Sequence, residues 1–102
     1  MEAALAVASL ITVLVLSVGA IVGVTAQVRC VDAAREAARL TARGDDALAA
    51  EAISAVGPPG ATASTTRSGD TVTVRVQAPV PALPGLTVSA TAVAALEPGE
   101  AG

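Results

Sequence analysis

From residue 3 to residue 28 the chain carries no charged side chain. The stretch reads AALAVASLITVLVLSVGAIVGVTAQV, and its polar side chains are Ser9, Thr12, Ser17, Thr25 and Gln27. As a helix it would extend roughly 39 Å at 1.5 Å per residue, more than the ~30 Å of bilayer hydrocarbon. Apolar residues cover every side of such a helix rather than one stripe, so its surroundings must be lipid or other apolar helices. A secretory signal core is shorter and needs a basic flank and a small-residue cleavage site. The stretch has neither, and Val28-Arg29-Cys30 is not the small-residue approach of a lipoprotein cysteine. The sequence therefore predicts a membrane-spanning or bundle-buried helix.

Past Gln27 the helical pattern continues with a new character. In the run VRCVDAAREAARLTARG, steps of 100° place Arg29, Asp32, Arg35, Glu36, Arg39 and Arg43 within one arc of roughly 120°, leaving Val31, Ala33, Ala34, Ala37, Ala38, Leu40 and Ala42 for the rest of the surface. Asp32–Arg35 and Glu36–Arg39 are opposite charges at i,i+3 spacing. Gly44 is a natural helix terminator. One continuous helix is expected from about residue 3 to 43, buried in its first two-thirds and solvated in its last third. Asp45-Asp46 offers an N-cap for a short second helix ending near residue 55, and Gly57-Pro58-Pro59-Gly60 stops it.

Beyond that point the period changes to two. Thr71-Val72-Thr73-Val74-Arg75-Val76-Gln77 alternates strictly, which predicts a strand with a valine face. A weaker strand over residues 61–66 precedes it, joined by the turn Arg67-Ser68-Gly69-Asp70. A third, over residues 86–93, follows a Pro-rich linker at residues 79–85. The expected class is α+β: a long N-terminal helix over residues 1–44, a small helix and antiparallel β-meander over 45–96, and a disordered tail over 97–102. A sheet-bearing part this small is marginal alone. The Ala-rich side of residues 31–42 is the expected cover for its Val/Ala face.

Composition narrows the function. Within 102 residues there is no Phe, Tyr, Trp, His or Lys and one Cys, which excludes His/Cys metal cages, Ser–His–Asp and Cys–His nucleophile systems, lysine Schiff bases and P-loops. The missing residue types with AT-rich codons point to a GC-rich genome. A net charge of −3 argues against nucleic-acid binding. The nine carboxylates, at positions 2, 32, 36, 45, 46, 51, 70, 97 and 100, all suit caps, pairs, turns or the tail, so no catalytic, cofactor or metal site is expected.

Four residues on the long helix have readings beyond structure. Glu2 either sits at an interface beside the positive helix end, or enters apolar surroundings and pairs with a cation such as the α-amino group of a neighbouring copy. Gly19 and Gly23 form a GxxxG that lets helix backbones approach closely. Cys30 is either a small helix residue or one half of a disulfide to another copy. Arg29, Arg35, Arg39 and Arg43 follow the apolar span and no basic residue precedes it, which by the positive-inside rule puts the C-terminal part in the cytoplasm. The Thr/Ser-rich, Pro-linked sheet reads instead as extracytoplasmic. A basic leader upstream of Met1 would reconcile the two.

With Glu2-Ala3-Ala4-Leu5-Ala6 opening the helix and Gln27-Val28-Arg29-Cys30-Val31-Asp32-Ala33-Ala34-Arg35-Glu36-Ala37-Ala38-Arg39 continuing it, the chain resembles the TadE-like minor pilins (pseudopilins) of tight-adherence pilus systems, and among them the small actinobacterial members. The resemblance covers residues 1–44 well and the strand region only in layout. It implies a prepilin cleaved after a glycine, with a glutamate at mature position five that maps onto Glu2; the leader and first mature residues of that pattern are absent here. It also implies a prepilin peptidase, an inner-membrane assembly platform, a cytoplasmic ATPase and other pilin-like subunits as partners, and makes Asp32, Arg35, Glu36 and Arg39 an extracytoplasmic helix face. The expected function is a non-enzymatic minor pilin-like subunit at the inner membrane. The alternative is a single-pass membrane adaptor that binds a partner through its small domain.

Overall fold

The computed structural model describes residues 1–80 and 85–96. Its elements, in chain order, are α1 (Glu2–Ala42), α2 (Asp46–Val56), β1 (Thr62–Ser68), β2 (Thr71–Pro79) and β3 (Thr87–Ala95). This is an α+β arrangement of a long apolar helix, a short helix and a three-stranded antiparallel sheet in the order β1-β2-β3. The molecule is 71 Å long and about 20 Å across. Its shape follows from α1, whose N-terminal half stands alone as a stem while its C-terminal half is built into a small head.

Helix α1 ends in a Schellman motif. The N–H of Gly44 donates to Thr41 O at 3.0 Å and that of Asp45 to Leu40 O at 2.9 Å, with Gly44 at φ 85°. These bonds satisfy carbonyls that the helix end leaves open, and the turn sends α2 back along α1. Asp45 occupies the N-cap position of α2, but its side chain makes no capping bond there, contrary to the expected Asp45-Asp46 cap. Asp46 instead pairs with Arg67 of β1 at 3.4 Å.

In the sheet, β1 and β2 are joined by a two-residue hairpin turn at Gly69-Asp70, tighter than the expected four-residue turn because β1 runs on through Ser68 to pair with Thr71. Gly69 has φ 60°, the positive value that tight hairpins need at that position. Val72, Val74 and Val76 are completely buried, with Ala78 beside them. Val74, Val76 and Ala78 face the Ala-rich side of α1, where Cys30, Ala33, Ala34, Ala37 and Ala38 are buried in one cluster with them. Alanine lets the sheet lie close on the helix, so valine-sized side chains fill the seam without an aromatic residue. At the far end of the head, Val72, Ala42 and Leu96 form a second small cluster.

The valine face is thus the core of the head, and the sheet face turned to solvent carries Arg75 and Gln77. In the single chain residues 2–18 are exposed throughout, and the buried positions along α1 begin at Ala26. Chain-internal contacts cover the last third of the helix on its alanine face. Residues 2–18 are left uncovered by the other described residues. The expected tail at residues 97–102 and linker residues 81–84 lie outside the described residues.

Candidate functional site

The stem dominates what this molecule presents to others. Leu5, Leu10, Leu14, Leu16, Ile21 and Val24 are each more than 60 % exposed. An exposed apolar surface of this length is far larger than a soluble monomer carries. Within it Thr12 and Ser17 donate their hydroxyls back to Ala8 O and Val13 O, each at 2.8 Å. These two hydroxyls are thereby satisfied within the helix and need no partner from an apolar medium. The helix is long and apolar enough to cross a membrane, and the arrangement is compatible with a membrane-anchored protein.

Glu2 stands in the first turn of α1, at the free end of the stem and far from every residue of the head. Gly19 and Gly23 lie in the upper stem, and a Cβ added to either would meet nothing within 4 Å. None of the described residues uses the close approach these two glycines permit. Glu2, Gly19 and Gly23 therefore share the stem without forming a cluster.

Cys30 lies elsewhere. It is fully buried where α1 meets β3, with its thiol directed at Val88 O at 4.0 Å. Burial pushes the thiol pKa above its ordinary value. A disulfide to another copy would require this seam to open. Two further side chains tie the same end of the head to the helix: Gln27 Nε2 donates to Ser89 O at 2.9 Å and Arg29 Nε donates to Val56 O at 3.1 Å. The second bond meets an end carbonyl of α2, where a positive charge suits the helix dipole. Sequence reasoning missed both bonds, although the placement of Gln27 and Arg29 at the end of the uncharged stretch was visible.

On the charged arc of α1, Glu36 and Arg39 form an ion pair. Asp32 and Arg35, expected as a second pair, make no salt bridge. They line a shallow surface crevice with Glu36, Arg39, Ala52 and Val56. A wider groove of about 750 Å³ lies between α2 and the inner face of β1, floored by Ala37 and Thr41 and walled by Ala49, Ile53, Ala63 and Thr65. The Asp46–Arg67 pair lies along it. Among the described residues no three His, Cys, Asp or Glu side chains come together as metal ligands. The groove offers small apolar contacts and one ion pair.

With this geometry in view, comparison with known proteins yields one informative relative. Over 99 residues the chain is 46 % identical to the Mycobacterium tuberculosis protein named Apoptosis inhibitor Rv3655c, a match covering 97 % of this chain and 79 % of the relative. No family model and no solved structure matches the chain. The match spans stem and head alike, so the chain belongs to the family of the mycobacterial protein Apoptosis inhibitor Rv3655c.

Proposed function

We propose that the protein is a non-enzymatic, TadE-like minor pilin that waits in the inner membrane by its stem and then packs into, or primes, a tight-adherence pilus. The observation that carries this reading is the division of one continuous helix into a bare apolar stem and a head-bound upper half. A subunit that leaves lipid for a helical stack needs such a stem, because neighbouring copies can replace lipid around it without refolding the head. Glu2 at the stem's free end then has a role: inside the stack its carboxylate pairs with a cation of an adjoining copy, since an unpaired charge in apolar surroundings is costly. Gly19 and Gly23 let adjacent stems approach. The head, with Asp32, Arg35, Glu36 and Arg39 on one side, lies outside the cytoplasm. The prepilin peptidase, the assembly platform and other pilin-like subunits are the partners of this reading.

Glu2→Ala tests it. The variant is expected to enter the membrane fraction like the wild type and to be missing from sheared surface filaments, measured by immunoblot of both fractions. Wild-type amounts in filaments would overturn the pairing.

A second reading has its own support. The mycobacterial relative is named an apoptosis inhibitor, which favours a membrane-anchored interaction protein acting through its head. Such a protein tolerates Glu2→Ala and loses its partner when the groove between α2 and β1 is filled, as by Ala63→Leu. The valine face of β2 cannot serve for this test, because it is the core of the head.

A further inference from the structure

The end of the head nearest the stem differs from the rest of its surface. Helix α2 is followed by Gly57-Pro58-Pro59-Gly60, and this turn comes down on the stem: Pro58 and Pro59 line an apolar crevice with Ile21, Val22, Thr25, Ala26 and Arg29. The end of β2 and the start of β3 lie at the same end. Gly60, at φ 78°, lies so close to the ring of Pro79 that a Cβ there would come within 3.3 Å of it. On the other side Ser89 is bonded to Gln27, and Leu86 lies three residues before it, up to about 10 Å nearer the stem. Leu86 is 54 % exposed.

The height of this end along α1 can be worked out. Glu2 and Ile21 are nineteen residues apart on an unbroken helix, a rise of about 29 Å, which matches the ~30 Å hydrocarbon layer. If Glu2 marks one boundary of the apolar layer, the other falls at Ile21 and Val22, the level at which Pro58 and Pro59 meet the stem. The first charged side chain above that boundary is Arg29, which lines the crevice and donates from Nε to Val56 O. Pro58 and Pro59 bring no backbone N–H, and the carbonyl of Pro58 already accepts from Ala61 N–H at 3.1 Å. The turn can therefore enter a poorly hydrated layer at little hydrogen-bonding cost.

We propose that the stem-side end of the head is itself a lipid-binding surface, with Pro59 and Leu86 seated in the interfacial layer of the bilayer around Ile21 and Val22. The protein is then held by lipid through its head as well as its stem, and the head stands at a fixed height and tilt rather than swinging above the membrane. This rests on the membrane-anchored reading of the stem. The occupant is lipid rather than a second copy because the surface continues that of the stem, lies at the boundary set by the stem's length, and is followed by a positive charge.

The absence of tryptophan makes a clean test available. Single substitutions Pro59→Trp, Leu86→Trp, Leu10→Trp and Thr66→Trp each create one fluorophore at an exposed position, in the full chain reconstituted into phosphatidylcholine–phosphatidylglycerol vesicles. Circular dichroism checks that each variant is folded. Pro59→Trp and Leu86→Trp are expected to emit to the blue of Thr66→Trp and to lose intensity when the lipids are brominated near their headgroup end. Emission from both that responds to aqueous iodide and not to bromolipid overturns the proposal. So does protection from both quenchers, which would mark a second copy as the occupant. Leu10→Trp separates the two layers of the argument. If it is quenched by lipid while positions 59 and 86 are not, the stem is an anchor and only the seating fails. If it is not quenched, the anchor reading itself fails.

Discussion

Cys30 shows how one small side chain reports on the whole head. It sits in the seam between α1 and β3 with no exposed surface, and desolvation holds its thiol in the neutral form. Its reaction with a water-soluble disulfide reagent should therefore follow opening of the head, slow under native conditions and fast in denaturant, as read by thiolate release. The same burial fixes a pH dependence. The folded-state pKa is raised above the ordinary value of 9.0, so the folded chain keeps its proton where the unfolded chain loses it. The thiol's contribution to stability is complete below about pH 9 and is lost as pH rises through the folded value. In Cys30→Ser this part of the alkaline decline should vanish, measured as the difference between urea midpoints at pH 8 and pH 10 in detergent micelles. Arg29 and Gln27, on the neighbouring turn, act differently: each spends its polar end on a backbone carbonyl of the head. A sequence displays such residues as polar groups at the end of an apolar run, but it does not say which carbonyl each will meet.

At the scale of elements, the two halves of the fold rest on different signals. The strict alternation of β2 and the 3.6-residue pattern of α1 are local, and both elements form where those periods predict, with α1 at Glu2–Ala42 and β2 at Thr71–Pro79. Their docking was legible too, since a valine face and an alanine face on one short chain have few other partners. Strand β1 was harder to bound. Its residues TASTTRS are all exposed, and it exists because β2 offers a hydrogen-bonding edge, a long-range cause that no window of local sequence contains. The groove between β1 and α2 has the same origin and was not foreseen. Two substitutions check this division. Val74→Ala removes two buried methyl groups from the seam and should cost about 2 kcal/mol or more, whereas Arg75→Gln on the solvent face should cost about 0.5 kcal/mol or less. Gly44→Ala places a Cβ at φ 85° in the Schellman turn and should cost about 1–2 kcal/mol. Thermal unfolding in micelles, followed through exposure of Cys30, reads all three.

For the molecule as a whole, the decisive property is that stem and head share one helix, so the direction each stem residue faces is fixed relative to the head. Inserting a single alanine between Leu14 and Val15 leaves the head and its contacts, which begin at Ile21, untouched. It turns residues 2–14 by about 100° about the helix axis and shifts them by about 1.5 Å relative to everything above. A solitary anchor is indifferent to that change, because lipid surrounds the stem equally on all sides and the stem is apolar all round. A stack of copies is not indifferent. Glu2 must point at its partner's cation while the Gly19 and Gly23 face meets a neighbouring stem, and the insertion makes those two requirements incompatible. The insertion is therefore expected to leave membrane insertion and the unfolding midpoint of the head unchanged while removing the protein from sheared filaments. Inserting seven alanines at the same point restores the phase to within about 20° but lengthens the stem by about 10 Å, so only partial recovery is expected. Filament incorporation unaffected by the single alanine would place the stem outside any ordered stack and favour the membrane-anchored interaction protein, whose work is done by the head.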